Sequence, residues 1–250
     1  MRARWRSALV MPAAVAGALA VAVPASAAPQ TYYTRIYSRF PYNSVAGVEV
    51  TGAAATLEVH TVAHVATTGA ASDVYLNGDR NAFVQLGIVQ GSVGLGECNA
   101  QRVYFATPHY FAGERIATAT CETLYDLGPA TTGVRTTFSL RRNEATWRYY
   151  GFVDGVQRWV SDGSFRALYP GVTAEANDTC TDTYHDAQDP RDALHRSLKV
   201  YTAATGYRFW SEQYGPFADA LYPQYYVWGR PYGGATSYGS GLNPYPSGCP

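Results

Sequence analysis

Two stacked antiparallel β-sheets are what this chain predicts, on three observations. Short segments of alternating apolar and polar residues recur along it, separated by Gly, Pro, Asn and Asp; a two-residue period marks strands with one buried face. Aromatic residues make up 14% of the sequence, with 21 Tyr, and 24 Gly and 14 Pro punctuate the segments, a composition that suits strands and turns better than helices. Asp154-Gly155, set between Phe152-Val153 and Val156-Gln157, is the residue pair a two-residue type I′ hairpin turn needs. Strands are expected at 45–50, 56–62, 83–89, 102–106, 115–121, 136–141, 146–153, 156–160, 172–177, 198–202 and 207–211. So many short strands favour a two-sheet sandwich over a small barrel.

Ahead of the strands, residues 1–27 read as a secretory signal peptide. Arg2, Arg4 and Arg6 precede an apolar run over 8–23, and Ala25-Ser26-Ala27 gives the small-x-small pattern cleaved before Ala28. The run is too short and Ala-rich to span a bilayer, and no later stretch approaches about 20 apolar residues. A secreted protein with no membrane span is the expectation. Removing the leader leaves 223 residues, enough for one large sandwich over 28–215 that buries a core of its own. The remainder, 216–250, is rich in Tyr, Gly and Pro, including Tyr222, Tyr225, Tyr226, Tyr232, Tyr238 and Tyr245. It reads as an irregular extension packed on the sandwich, with an aromatic platform for sugars or peptides as the alternative.

Charge narrows the partners. Three of the 19 basic residues lie in the leader, so the rest of the chain carries a net charge near −3. Nucleic acid and anionic membrane surfaces, which need a basic face, are disfavoured. Lys199 is the only lysine beside 18 arginines, a bias common in proteins of GC-rich bacteria.

Four cysteines remain, an even number in an oxidising compartment. Cys98 and Cys121 flank an expected hairpin and are paired on that ground; Cys180–Cys249 follows by elimination and ties the tail to the body. No Cys-x-x-Cys or Cys/His spacing supports zinc. His60 and His64 read as surface histidines. Asp178, Asp182, Asp186, Asp189 and Asp192 crowd one loop, where a solvated acidic segment competes with a calcium site of no defined pattern. No metal and no cofactor are implied.

The common catalytic motifs are absent, including a Gly-x-Ser-x-Gly elbow and His-Glu-x-x-His. The more informative constellation lies on two strands. In 83–88 the alternation puts Val84, Leu86 and Ile88 on one face and Gln85 with Gly87 on the other. In 171–177 it sets Val172, Ala174 and Ala176 against Thr173, Glu175 and Asn177. Were the strands neighbours in one sheet, Gln85 and Glu175 would share a groove on the face away from the aliphatic core.

On these residues the chain resembles the glutamic peptidases, or eqolisins. Phe83-Val84-Gln85-Leu86-Gly87 and Ala174-Glu175 look like that family's two signature strands, and Val103-Tyr104-Phe105, Gly113-Glu114-Arg115-Ile116 and the Trp147 segment fall in order between them. The resemblance spans about 45–177. It implies a concanavalin-like (jelly-roll) sandwich and a secreted acid endopeptidase whose catalytic pair is Gln85 and Glu175. In such a pair the carboxylate acts as general base on water, and the amide holds that water and donates to the oxyanion. The family's Trp-rich segment before the Gln strand is replaced by Ser72-Asp73-Val74-Tyr75-Leu76-Asn77, and its Trp-Tyr-Glu stretch by Tyr104-Phe105-Ala106-Thr107. The Glu-x-Asp-x-x-Glu pattern of sandwich glucanases is absent, so paired-carboxylate glycoside hydrolysis is not indicated.

The leading functional expectation is a monomeric binding module for an extracellular glycan or protein, with Tyr104 and Trp147 as candidate binding aromatics. The acid peptidase is the alternative, and a structural envelope component, suggested by the Tyr-rich tail, is the third.

Overall fold

A computed structural model describes residues 32–40, 44–59, 69–79, 81–116, 118–178, 193–209, 217–221, 226–228 and 238–242. For 32–39, 174–178, 193–194 and the segments from 217 onward, the description is of backbone only. The described residues form an all-β antiparallel sandwich with no helix and no closed barrel. None of them forms a helix long and apolar enough to cross a membrane.

One sheet has seven strands in the order β15 (Phe217–Leu221), β1 (Tyr32–Arg39), β12 (Ala167–Asp178), β5 (Gly69–Gly78), β6 (Phe83–Glu97), β7 (Gln101–Arg115) and β8 (Thr123–Pro129). The other has eight: β11 (Val156–Val160), β10 (Tyr149–Val153), β9 (Arg135–Arg142), β4 (Gly52–Glu58), β13 (Ala193–Thr202), β17 (Tyr238–Leu242) and β16 (Tyr226–Trp228), with β14 (Gly206–Phe209) also paired to β13. A small hairpin, β2 (Ser44–Val45) and β3 (Val48–Glu49), stands apart.

The core lies between the two large sheets. Val74, Leu76, Val84, Leu86, Ala112 and Val172 face Ala53, Leu57, Phe138, Leu140, Tyr149 and Leu198, all buried. Strand β9 shows why: Thr136, Phe138, Leu140 and Arg142 are buried and the residues between them are more exposed, the two-residue period expected of a strand covered on one side.

The seven-stranded sheet does not stay open at its far end. A two-residue register shift at Val89/Gly91 lets β6 and β7 bend, and Gln90 Nε2 donates 2.8 Å to the Ala106 carbonyl beside the shift. The registers then close a ring of pairs: Gln85 opposite Gly113, Gly113 opposite Leu124, and Leu124 opposite Gly96. Strand β6 thus returns to β8 after eleven residues of curl. Val89, Val93 and Phe111, with Ala71, Leu95, Val103, Phe105 and Leu124, form a second small apolar cluster inside it. By parity these residues lie on the face that also carries Gln85.

Several expected elements differ. The segment 45–50 is the β2–β3 hairpin, because Ala46 and Gly47 take positive φ and reverse the chain. Residues 146–148 precede β10, since Asn143 Oδ1 accepts from the amides of Ala145 and Thr146 and holds a turn. The strand expected at 115–121 ends at Arg115 and gives way to a turn in which Ala119 N donates to Ile116 O. Strand β5 was not expected. Segment 216–250, read as irregular, contributes β15 to one sheet and β16 and β17 to the other, through main-chain pairing with β1 and β13 that needs no side-chain alternation. Asp154 and Gly155 do form the tight turn between β10 and β11, with φ of 48° and 78°.

Candidate active site

Gln85 projects from β6 on the face away from the main core and is only 7% exposed. Its row across the sheet runs Tyr75, Gln85, Gly113 and Leu124. The next row on the same face holds Thr173, Asp73, Gly87 and Phe111, all but the glycine buried side chains. The glycines are spatial requirements. A Cβ at Gly87 would lie 2.6 Å from Asp73 Cα, and one at Gly113 would lie 2.7 Å from Gln85 Nε2.

The polar partner of Gln85 is Glu122. Gln85 Nε2 donates to Glu122 Oε1 at 2.6 Å, a short bond of the charge-assisted kind. Glu122 is half-buried. Two restraints bring it there: the Cys98–Cys121 disulfide fixes its neighbour, and Cys98 N donates to the Glu122 carbonyl at 2.9 Å, extending the β6–β8 ladder by one rung. The pair therefore sits where the curled end of β6 meets the start of β8. Nothing in the local sequence around Glu122 announces it; the only signal is its place after Cys121.

Glu175 is placed by backbone. It stands opposite Ala71, which stands opposite Val89, so by parity it belongs to the same face as Gln85. The row of Gln85 meets β12 at Gly171, four residues from Glu175. Two strand spacings and four residues of rise separate the two Cα positions by about 16 Å on a flat sheet.

Behind the site, on the core side, Glu114 is a buried carboxylate with its hydrogen bonds supplied locally. Tyr125 Oη donates to it at 2.7 Å, and the Asp162 amide lies 3.1 and 3.0 Å from its two oxygens. Burial first, and then the bond to Glu114, push the Tyr125 phenol well above its ordinary pKa. On the outer face His109 Nδ1 lies 2.9 Å from Asp126 Oδ1, with its ring stacked on Phe105.

The two candidate binding aromatics are not brought together. Tyr104 is 48% exposed on β7 of the seven-stranded sheet. Trp147 is 50% exposed beside the other sheet, where the Arg142 guanidinium lies 4.3 Å from its ring centroid. The Cys180–Cys249 pair, His60, His64 and most of the acidic loop lie outside the described residues.

No protein-family profile matches the sequence, and no curated protein does. Among solved structures the fold is similar to SCP-B, a member of the eqolisin family of peptidases solved with the tripeptide Ala-Ile-His: TM-score 0.49 and 9% identity, over 86% of this chain and 100% of that one. It is similar to a glycoside hydrolase family 16 endo-glucanase from Bacteroides ovatus, TM-score 0.34 and 10% identity, over 57% of this chain and 66% of that one. A GlcNAcα1-4Gal releasing endo-β-galactosidase from Clostridium perfringens aligns with TM-score 0.36 and 8% identity, over 85% of this chain and 48% of its own length. At this level the likenesses are of β-sandwich form and assign no activity.

Proposed function

We propose that the protein is a secreted acid endopeptidase of the glutamic type, built on a concanavalin-like sandwich, with Gln85 as the amide and Glu122 as the carboxylate. The observation that carries this reading is the 2.6 Å bond from Gln85 Nε2 to Glu122 Oε1, in the strand whose Phe83-Val84-Gln85-Leu86-Gly87 sequence resembles the eqolisin signature. Gln85 holds the carboxylate in one orientation, and the half-buried Glu122 is the member of the pair that reaches solvent.

The reaction is a hydrolysis. Glu122 takes a proton from a water whose oxygen adds to the peptide carbonyl carbon, and the Gln85 amide donates to the oxygen that gains negative charge. The tetrahedral carbon then expels the amine as the C–N bond breaks, and the protonated Glu122 returns its proton to that nitrogen. Neither metal nor cofactor enters these steps.

The test is digestion of an unfolded protein at acidic pH by purified protein. Glu122→Gln should abolish cleavage with the thermal midpoint nearly unchanged, and Gln85→Ala should lower the rate by about 10²–10³. Glu175→Gln should retain most activity, because Glu175 stands a further two strands and four residues away. Loss of activity in Glu175→Gln with retention in Glu122→Gln would move the base to Glu175. Absence of cleavage by the wild-type protein would overturn the peptidase reading.

A further inference from the structure

The outward face of the eight-stranded sheet carries a second feature, unrelated to the Gln85 site. Two rows of residues cross it. One runs Tyr150, Arg141, Gly52, Tyr201 and Tyr207; the other runs Gln157, Phe152, Ser139, Ala54, Lys199 and Phe209. A groove of about 430 Å³ opens between Arg141, Tyr150 and Phe152 on its floor, Tyr201 on one side and the 143–145 turn on the other.

Gly52, which separates Arg141 from Tyr201 in their row, is buried and lets the two side chains approach each other. A Cβ at Gly52 would lie 2.8 Å from Tyr201 Cβ, so only glycine fits between Arg141 and Tyr201. The surrounding rings are fixed. Tyr207 Oη donates to the Leu140 carbonyl at 3.2 Å, and its ring packs on Tyr201 with centroids 4.9 Å apart.

The charge on this face is one-sided. Arg142, Arg166, Glu49 and Glu144 neutralise one another at the rim, through contacts of 3.0 to 3.4 Å. Arg141 and Lys199 have no carboxylate partner among the described residues. Each lies over an aromatic ring instead: the Arg141 guanidinium 4.8 Å from the Phe152 centroid, and Lys199 Nζ 4.8 Å from that of Phe209. That stacking holds the cations against the sheet while leaving donors turned outward. The protein's only lysine stands here, on a face whose net charge is opposite in sign to that of residues 28–250 taken together.

We propose that this groove binds an anionic polysaccharide, its pyranose rings flat on Tyr150 and Tyr201 and its carboxylates on Arg141 and Lys199. A sugar fits better than an acidic peptide for a topological reason. β10, β9 and β4 are interior strands with both edges already paired, so the face offers an extended peptide no main-chain ladder to join. It offers rings, a guanidinium fork and the exposed amide of Gln157, which suit hydroxyls and carboxylates.

The experiment is titration calorimetry of the full chain with polygalacturonate, with dextran as a neutral polymer and poly-glutamate as an acidic peptide. Polygalacturonate should bind, more weakly as salt rises, and Arg141→Gln/Lys199→Gln should lose at least tenfold in affinity. Tyr201→Ala should lose a similar factor with polygalacturonate. Circular dichroism melts of each variant separate loss of binding from loss of fold. Failure of polygalacturonate to bind, or wild-type affinity in the double-charge variant, overturns the proposal. Equal affinity for poly-glutamate overturns the sugar assignment and leaves a general anion surface.

Discussion

Gly113 stands directly across the β6–β7 ladder from Gln85, and the missing side chain at one is the space occupied by the other. A methyl group at Gly113 would come within 2.7 Å of both Gln85 Nε2 and Leu124 Cδ2. Gly113→Ala should therefore cost about 1–3 kcal/mol of stability, the usual range for overpacking. Because it displaces the amide, it should also depress proteolysis more than its effect on the thermal midpoint would explain. Denaturant melts beside cleavage rates measure the two effects separately.

The disulfide should matter twice over. Cys98 and Cys121 are 23 residues apart in sequence, and closing a loop of that size is worth about 3 kcal/mol. Cys121 also precedes Glu122, so the Cys98→Ser/Cys121→Ser variant should lose activity at temperatures where it remains folded. Comparing oxidised and reduced protein by denaturation and by cleavage would show both losses; equal activity in the two would detach Glu122 from the disulfide.

At the β10–β11 turn, Gly155 has φ of 78° and Asp154 Oδ1 accepts from Thr137 N at 2.7 Å. Gly155→Val forces a β-branched residue into the left-handed region and should destabilise by about 1–2 kcal/mol. The change lies far from Gln85 along the chain, so activity per folded molecule should stay at the wild-type value.

Alkaline pH should unfold the protein more readily. Tyr149 is buried with its hydroxyl on the Phe165 carbonyl, and burial raises its pKa, as it does those of Tyr125 and Tyr207. In the unfolded chain these phenols ionise near pH 10. The folded state holds their protons beyond that point, so their stabilisation is complete below about pH 10 and is lost as pH rises further. Denaturation midpoints measured across this range should fall. Tyr125→Phe should flatten part of the decline while costing about 1–3 kcal/mol at neutral pH, because buried Glu114 loses a donor.

Where alternation was strong, the sequence was readable. Val84, Leu86 and Ile88 declared one face of β6 and Gln85 the other, and Asp154-Gly155 declared its hairpin, because each depends on adjacent residues. Strand β5 was not readable. It is covered on both faces, with Asp73 and Tyr75 as buried as Val74 and Leu76, so it shows no period of two. β15 and β17 are joined to β1 and β13 by main-chain pairing to strands far away in sequence. Glu122 was missed for a related reason: its meeting with Gln85 depends on how far β6 curls at the Val89/Gly91 register shift, and the one local signal, the pairing of Cys121 with Cys98, does not say which side chain of the other strand it reaches.

That curl also bears on how copies of the protein behave at high concentration. Thr123 and Leu124 are paired on one side to Glu114 and Gly113 and on the other to Glu97 and Gly96. The first residues of the outermost strand thus present no open row of amides and carbonyls to a neighbouring molecule. An unprotected last strand is where sheets join edge to edge and grow into aggregates. Here the sheet has turned its own β6 onto β8, so edge-to-edge joining at Thr123 and Leu124 would first require β6 to come away from β8.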